Sequence, residues 1–282
     1  DVTDSQRTFV DDWPKPEILV AMSDFEGLCG FRDPHETRQL FDGLDIRIPV
    51  DPVLGSLTER SGPAALAETF LDCLAGDDLR RQIVTEVVSG AVNHVGEDTP
   101  LGEFARTAVE LDEYFPGDPS ILAALMLNRI HLRPGEALAV PPGLMHSYLS
   151  GTGIEIMADS NNVVRGGLTD KHIDVDSLIE IVDFQTQEPW VMTAEEVDPG
   201  MRVFPGTDEQ FRLWELDLDT TRPAILPASD LARILLITGG YAVCSSSQGT
   251  DEIVRGQAVW IPAGEQVQVD GNCDGFLAAA GV

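Results

Sequence analysis

The 282-residue chain is short of positive charge. Eighteen Lys and Arg stand against 48 Asp and Glu, a formal net charge of −30. Nucleic acid and anionic membranes need a cationic face, so both are poor partners. Such acidity serves solubility first, and it makes any basic cluster stand out as a place for an anionic ligand. Long apolar runs are missing as well: none approaches ~20 residues, which excludes a membrane-spanning helix. The opening residues "DVTDSQRTFVDDWPKPE" have no basic stretch and no apolar core, so no signal peptide is expected there. Cysteine is scarce. Cys29, Cys73, Cys244 and Cys273 lie far apart, with no C-x-x-C and no zinc-ribbon spacing. Buried or free thiols in a reducing compartment, the cytoplasm, are expected. Neither Q-x-H nor H-x-H occurs anywhere. The chain begins with Asp1 rather than Met, so it is expected either to be part of a longer polypeptide or to have lost its start.

What is present is ordinary for a globular protein: 43% hydrophobic and 23% charged residues, in a chain long enough for sizeable cores. "PEILVAMSDF" is an apolar run bounded by proline and acids and reads as a buried strand. From Asp33 to about Met126, apolar residues recur at i, i+3, i+4 in "PHETRQLFDGL", "GPAALAETFLDCLAG", "DDLRRQIVTEVVSGAVNHV" and "PLGEFARTAVELDEYF", with Asp, Ser, Gly and Pro between them. That is a helical block. After "ILAALMLN" the period switches to two. "NRIHLRPGEALAVPP" reads as strand, Pro-Gly turn, strand, and short strands continue to about Ala158. "DVDSLIEIVDF" predicts one isolated helix with Asp174 as N-cap. From about 190 onward the chain returns to short strands and Gly/Pro turns. A helical insertion therefore interrupts one β region, and a second β region follows.

The two β regions share a pattern. Gly135, Pro141 and Gly143 recur as Gly256, Pro262 and Gly264, each 121 residues on (256 − 135, 262 − 141, 264 − 143). Matched glycines and prolines at one offset indicate a supersecondary unit used twice. In the first copy the unit continues to His146; in the second, Val267 holds that place. If "SGTG" (residues 150–153) is a hairpin turn, Tyr148 lies opposite Glu155 and His146 opposite Met157, and all four share one face. A lone histidine is more often a core residue satisfied by a backbone carbonyl; the resemblance of the full spacing to the cupin pattern favours a metal ligand instead.

The spacing PG-x5-P-x-G-x2-H resembles the second motif of the cupin superfamily of small jelly rolls. The resemblance implies a mainly β fold with an α-helical insertion, a tandem cupin in which the first copy keeps its metal site and the second cannot. The divisions expected are residues 1–28 as first strands of the metal-site cupin, 29–127 as helical insertion, 128–190 as its remainder and 191–282 as a metal-free C-terminal cupin. "WPKPEILVAMSDFEGLCGFR", the stretch from Asn128 to Val175, and the terminal "IPAGEQVQV" are similar, in order, to type I mannose-6-phosphate isomerase (phosphomannose isomerase). That family interconverts mannose 6-phosphate and fructose 6-phosphate with one zinc ion, through a cis-enediol-like intermediate. The resemblance makes Glu17 and His146 zinc ligands, both of ordinary zinc-binding type. Two further ligands, a glutamine and a histidine of a Q-x-H element, are expected from an N-terminal segment preceding these residues. Pro14 stands where the family usually has histidine, and Asn161 where it often has aspartate.

The resemblance also makes Arg165 the catalytic residue near the reacting carbons and places Lys171 toward the phosphate. Arginine suits bidentate oxyanion contacts and lysine a compact point charge. Their alternative is a solvated pair facing Asp159, Asp170 and Asp174. Lys15, two residues before Glu17, points to the same face of its strand. Tyr148 and Glu155 position sugar hydroxyls or support the ligands; the alternative for Tyr148 is core packing. His35, His94 and His131 read as structural or exposed, His172 as a neighbour of Lys171, and Cys29 as buried filler. The partner expected is a small sugar phosphate, on a monomer or weak homo-oligomer. One rival remains from another class, a non-catalytic cupin that binds a sugar or sugar phosphate. A cupin oxygenase would bring H-x-H, which is missing.

Overall fold

The computed structural model describes residues 9, 11–60, 62–205, 210–221 and 223–281. The chain enters through β1 (Glu17–Ala21) and β2 (Phe25–Phe31). "PEILVAMSDF" is thus two strands, not one. The break at 22–24 arises because the Met22 and Ser23 N–H groups donate to the Thr152 carbonyl at 2.8 and 3.2 Å instead of joining a ladder.

Among the described residues seven helices follow; the apolar period in the four quoted segments predicts the four longest, and three short ones add to the block. The seven are α1 (Pro34–Gly43), α2 (Asp51–Leu54), α3 (Ser56–Glu59), α4 (Gly62–Cys73), α5 (Asp78–Ala91), α6 (Pro100–Tyr114) and α7 (Ser120–Ala124). Their starts are set by side-chain caps: Asp33 accepts from the N–H groups of His35 and Glu36, Asp77 from Arg80, and Thr99 from Gly102. Pro34 and Pro100 occupy first-turn positions where no donor is needed. The helical core is continuous with β2. Phe31 stacks on Phe184 at 5.4 Å and meets Phe70 of α4 edge-on at 5.5 Å. Phe31 is fully buried. Its truncation to Ala would cost about 3–5 kcal/mol and loosen the seam between helices and sheet.

The strands β3 (Leu127–Leu132), β4 (Glu136–Val140), β5 (His146–Ser150), β6 (Gly153–Met157), helix α8 (Val175–Ile181) and β7 (Trp190–Thr193) come next. Asp174 caps α8, its carboxylate accepting from Ser177 N. Two sheets form, one in the order β6-β1-β4-β7 and one in the order β3-β2-β5. Between them lies an apolar interior of Leu19, Phe25, Cys29, Ile130, Leu132 and Leu138. The hairpin expected at 150–153 does not exist: β5 pairs with β2 and β6 with β1. The link crosses from one sheet to the other, as a jelly roll demands.

The rest of the chain is β8 (Glu195–Asp198), β9 (Met201–Val203), β10 (Phe211–Leu218), β11 (Ala224–Leu226), β12 (Arg233–Ser246), β13 (Gly249–Val254), β14 (Ala258–Ile261) and β15 (Val267–Ala280). They form one eight-stranded sheet, curled over its own core of Leu216, Leu235, Ile237 and Val269. Its outer residues Phe211, Leu213 and Phe276 pack on Ile18, Val20 and Ala139 of the first sheet. That explains the unbroken apolar run of β1. Ile18 and Val20 face the second β region, while Leu19 and Ala21 face the first barrel's interior, so both faces are buried.

Candidate active site

Glu17 alternates with Ile18, so it shares the inward face of β1 with Leu19. In the ladders it lies opposite Val140 of β4 and Met157 of β6. His146 opens β5, opposite Cys29 of β2. The two side chains approach across the barrel: His146 Nε2 is 3.6 Å from Glu17 Oε2. The other ring nitrogen, Nδ1, is 3.0 Å from the Leu144 carbonyl. A proton on Nδ1 satisfies that carbonyl and leaves the Nε2 lone pair aimed at Glu17, the tautomer a metal ligand needs.

The turn that delivers His146 is held on both sides. Gly143 has φ 86°, and its carbonyl accepts from Asp183 N at 3.0 Å. A Cβ on Gly143 would sit 2.6 Å from the Ile181 carbonyl, so the turn can press on the end of α8 only as glycine. The stiff stretch "VPPGLMH" is therefore a mount fixed between β4 and α8.

Other charges gather around the pair. Lys15 Nζ is 3.1 Å from Glu17 Oε1, with both side chains nearly buried. The Tyr148 hydroxyl donates to Glu155 Oε1 at 2.7 Å. This partnership was expected from a hairpin but arises across the barrel, from two different sheets. Burial opposes the charge on Glu17, yet His146 and Lys15 outweigh it and hold the carboxyl below its usual range. Burial also opposes an imidazolium at His146, and the Glu17 carboxylate with the Leu144 carbonyl overcomes it and raises that pKa. Glu155 is pushed up by burial and by the Glu17 charge, against the bond from Tyr148. Burial, with Glu155 alongside, pushes the Tyr148 phenol well up. Cys29, buried behind His146, is pushed up by burial to about 12 and is inert filler.

Two cavities meet at this cluster. One, of about 610 Å³, is lined by Trp13, Lys15, Glu17, His146, Tyr148 and Glu155 among others. The second, of about 590 Å³, runs from His146 and Tyr148 past Arg165 to Glu110, Tyr114 and Phe115 of the helical block. Arg165 is half-buried in that second lobe. Six of the expected residues are thus brought to one continuous space: Lys15, Glu17, His146, Tyr148, Glu155 and Arg165. Lys171 is not; it is exposed and lines neither cavity, as is its neighbour His172. His35 and His131 are exposed, and His94 is paired with Glu97.

Sequence reasoning passed over Asn162 and Ser120. Asn162 Nδ2 donates to the carbonyls of Asp11 and Trp13, at 3.0 and 3.1 Å, tying the entering chain to the Arg165 loop. Its place three residues before Arg165 was the only available signal. Ser120 sits in a helical segment where nothing marks it.

As a zinc site the donor set is half complete. A carboxylate and a correctly oriented imidazole, one from each sheet, fit two positions of a tetrahedral centre. Among the described residues no group of three His, Cys, Asp or Glu side chains can hold a metal ion.

The chain is 30% identical over 272 residues to a probable mannose-6-phosphate isomerase of Caenorhabditis elegans, covering 91% of this chain and 63% of that protein. It is 29% identical over 273 residues to the mannose-6-phosphate isomerase of Rattus norvegicus, covering 90% of this chain and 64% of the relative. The chain is a homologue of the mannose-6-phosphate isomerases. It spans less than two thirds of the length of these curated relatives. No family model matches it. Among solved structures, a lysine-to-alanine variant of phosphomannose isomerase from Salmonella typhimurium superposes with a TM-score of 0.85 at 23% identity, covering 100% of this chain and 70% of that one. A zinc-bound mannose 6-phosphate isomerase gives 0.83, also at 23% identity, with the same coverage. The fold is that of phosphomannose isomerase: a tandem cupin with a helical insertion, as the resemblance implied. No helix among the described residues is long and apolar enough to cross a membrane.

Proposed function

We propose that the protein is a zinc-dependent aldose–ketose isomerase that interconverts mannose 6-phosphate and fructose 6-phosphate in the cytoplasm. The observation that carries this reading is the meeting of Glu17 and His146 at 3.6 Å, inside a barrel that opens toward Arg165. Homologues that bear the isomerase name, and a superposing structure that holds zinc, support it. Glu17 and His146 would hold the metal, which when bound polarises the substrate's oxygens. The remaining work falls to the chain's own groups. The reaction moves a proton between neighbouring carbons and builds negative charge on an oxygen. Arg165, half-buried in the cavity, meets that charge with planar N–H donors. Tyr148 and Glu155, already hydrogen-bonded, orient sugar hydroxyls, and Lys15 adds charge beside Glu17. Lys171, exposed beyond Arg165, is kept for the phosphate.

A coupled assay of mannose 6-phosphate turnover, run with and without a zinc chelator, tests this. Chelator-sensitive turnover is expected. Binding of mannose 6-phosphate without turnover would favour the second reading, a non-catalytic cupin that binds a sugar phosphate.

A further inference from the structure

Arg165 makes no hydrogen bond or ion pair among the described residues. With no polar contact to hold the side chain, its placement depends on its backbone. That backbone has neither helix nor strand from Ala158 to Asp174. Something else must hold it. Before Arg165, the Asn162 amide bonds to Asp11 and Trp13 do so. After Arg165, the Leu168 N–H donates to Ser120 Oγ at 2.7 Å.

Ser120 opens α7, in the helical insertion, and is 5% exposed. Its hydroxyl donates to Asp118 Oδ1 at 2.6 Å, and the same carboxylate oxygen accepts the Ser120 N–H at 2.9 Å. The hydroxyl proton is thus committed to Asp118, which leaves a lone pair pointed at Leu168. Leu168 needs such a hold. It is the one non-glycine residue with positive φ among the described residues, at 49°. A leucine in that region is strained and persists only where its surroundings impose it. Its side chain packs against the helical core. The two residues between Arg165 and Leu168 are glycines closely packed on their neighbours. A Cβ on Gly167 would sit 2.5 Å from Ser120 Cβ, and one on Gly166 would sit 2.3 Å from Met145 Cε and 3.2 Å from Phe70 Cζ.

We infer that Ser120 is a positioning residue for Arg165: by fixing the Leu168 N–H it holds the left-handed turn that aims the guanidinium into the cavity. The helical insertion thereby acts on the chemistry of the barrel. The inference rests on the isomerase reading for the role of Arg165. Ser120 itself has both hydroxyl functions occupied and acts through the loop.

Three variants of the zinc-loaded full chain test this: Ser120→Ala, Arg165→Lys and the pair together. Hydrogen exchange at the Leu168 amide is followed alongside kinetics. Ser120→Ala is expected to speed that exchange by about tenfold or more, as loss of a buried bond of about 1.4 kcal/mol or above implies. It is expected to lower kcat by about tenfold with KM within about twofold, because a misaimed transition-state contact costs turnover rather than binding. In the Arg165→Lys background the same change should cost less than about twofold, since the two residues act as one unit. Asp118→Ala, which frees the hydroxyl without removing it, should act in the same direction and more weakly, and serves if Ser120→Ala does not fold. Unchanged exchange at Leu168, faster exchange with unchanged kcat, or an equal loss in both backgrounds would each overturn the inference. A parent protein that binds zinc but does not turn over mannose 6-phosphate would sink the isomerase reading instead; Leu168 exchange would still decide whether Ser120 holds the loop.

Discussion

Two turns in this molecule share a backbone and differ in what they deliver. Gly135 and Gly256 have φ of 88° and 86°, and Gly143 and Gly264 have 86° and 81°. Gly135 and Gly256 lead into β4 and β14, and the turns themselves, at Gly143 and Gly264, join β4 to β5 in the first copy and β14 to β15 in the second. The first turn delivers His146 into a cavity beside Glu17. The second delivers Val267, 5% exposed, into an apolar core with Leu226, Val269 and Cys273. The backbone unit thus does not depend on the metal chemistry. That chemistry lives in one side chain and in what surrounds it. The surroundings differ too: Gly143 presses on the Ile181 carbonyl, whereas a Cβ on Gly264 would meet open space.

The comparison can be broken most forcefully by giving the first turn the second turn's residue. His146→Val should abolish zinc binding, measured as metal content, and cut turnover by at least about a thousandfold, since the metal and its Lewis acidity go together. Retained zinc would mean that the site lies elsewhere. Next comes Arg165→Ala, which should lower kcat by about a hundredfold or more while zinc content stays the same, as expected of a transition-state donor. Loss of zinc with it would show that Arg165 supports the metal and not the substrate. The reverse exchange, Val267→His, should bind no zinc and should destabilise the protein by about 2–4 kcal/mol in denaturant melts, because a buried imidazole finds no partner there. A second bound zinc would show that the spacing alone makes a site. The smallest effect sharpens the comparison instead. Gly264→Ala should cost about 1 kcal/mol, the price of a Cβ at positive φ, and Gly143→Ala distinctly more, because its Cβ also strikes a carbonyl. Equal costs would mean that α8 gives way and does not fix the turn.

Much of the architecture was legible because it was written locally. The 121-residue repeat carries its own turn chemistry, and each matched glycine has the positive φ that makes it necessary. Asp174, Asp33 and Asp77 cap helices within three residues of themselves. Pairing between strands was not local and was misread. Ser150-Gly151-Thr152-Gly153 is short enough for a hairpin, and nothing in those four residues says that the chain changes sheets. Tyr148 and Glu155 nevertheless meet, because inward-facing residues of two facing sheets share the same interior as those of one hairpin. Met22 and Ser23 hid a strand break for a related reason: the partner that satisfies their N–H groups, Thr152, lies far along the chain. Ser120 was illegible altogether. Its sequence neighbours explain only its bond to Asp118, and its bond to Leu168 spans 48 positions.

The most direct measurement is anomalous diffraction at the zinc edge from crystals of the full chain. The account predicts a peak about 2.0–2.2 Å from His146 Nε2 and from a Glu17 carboxylate oxygen, and none in the second cupin. A zinc peak at Cys244 or Cys273, or zinc bound with no density at His146, would contradict it.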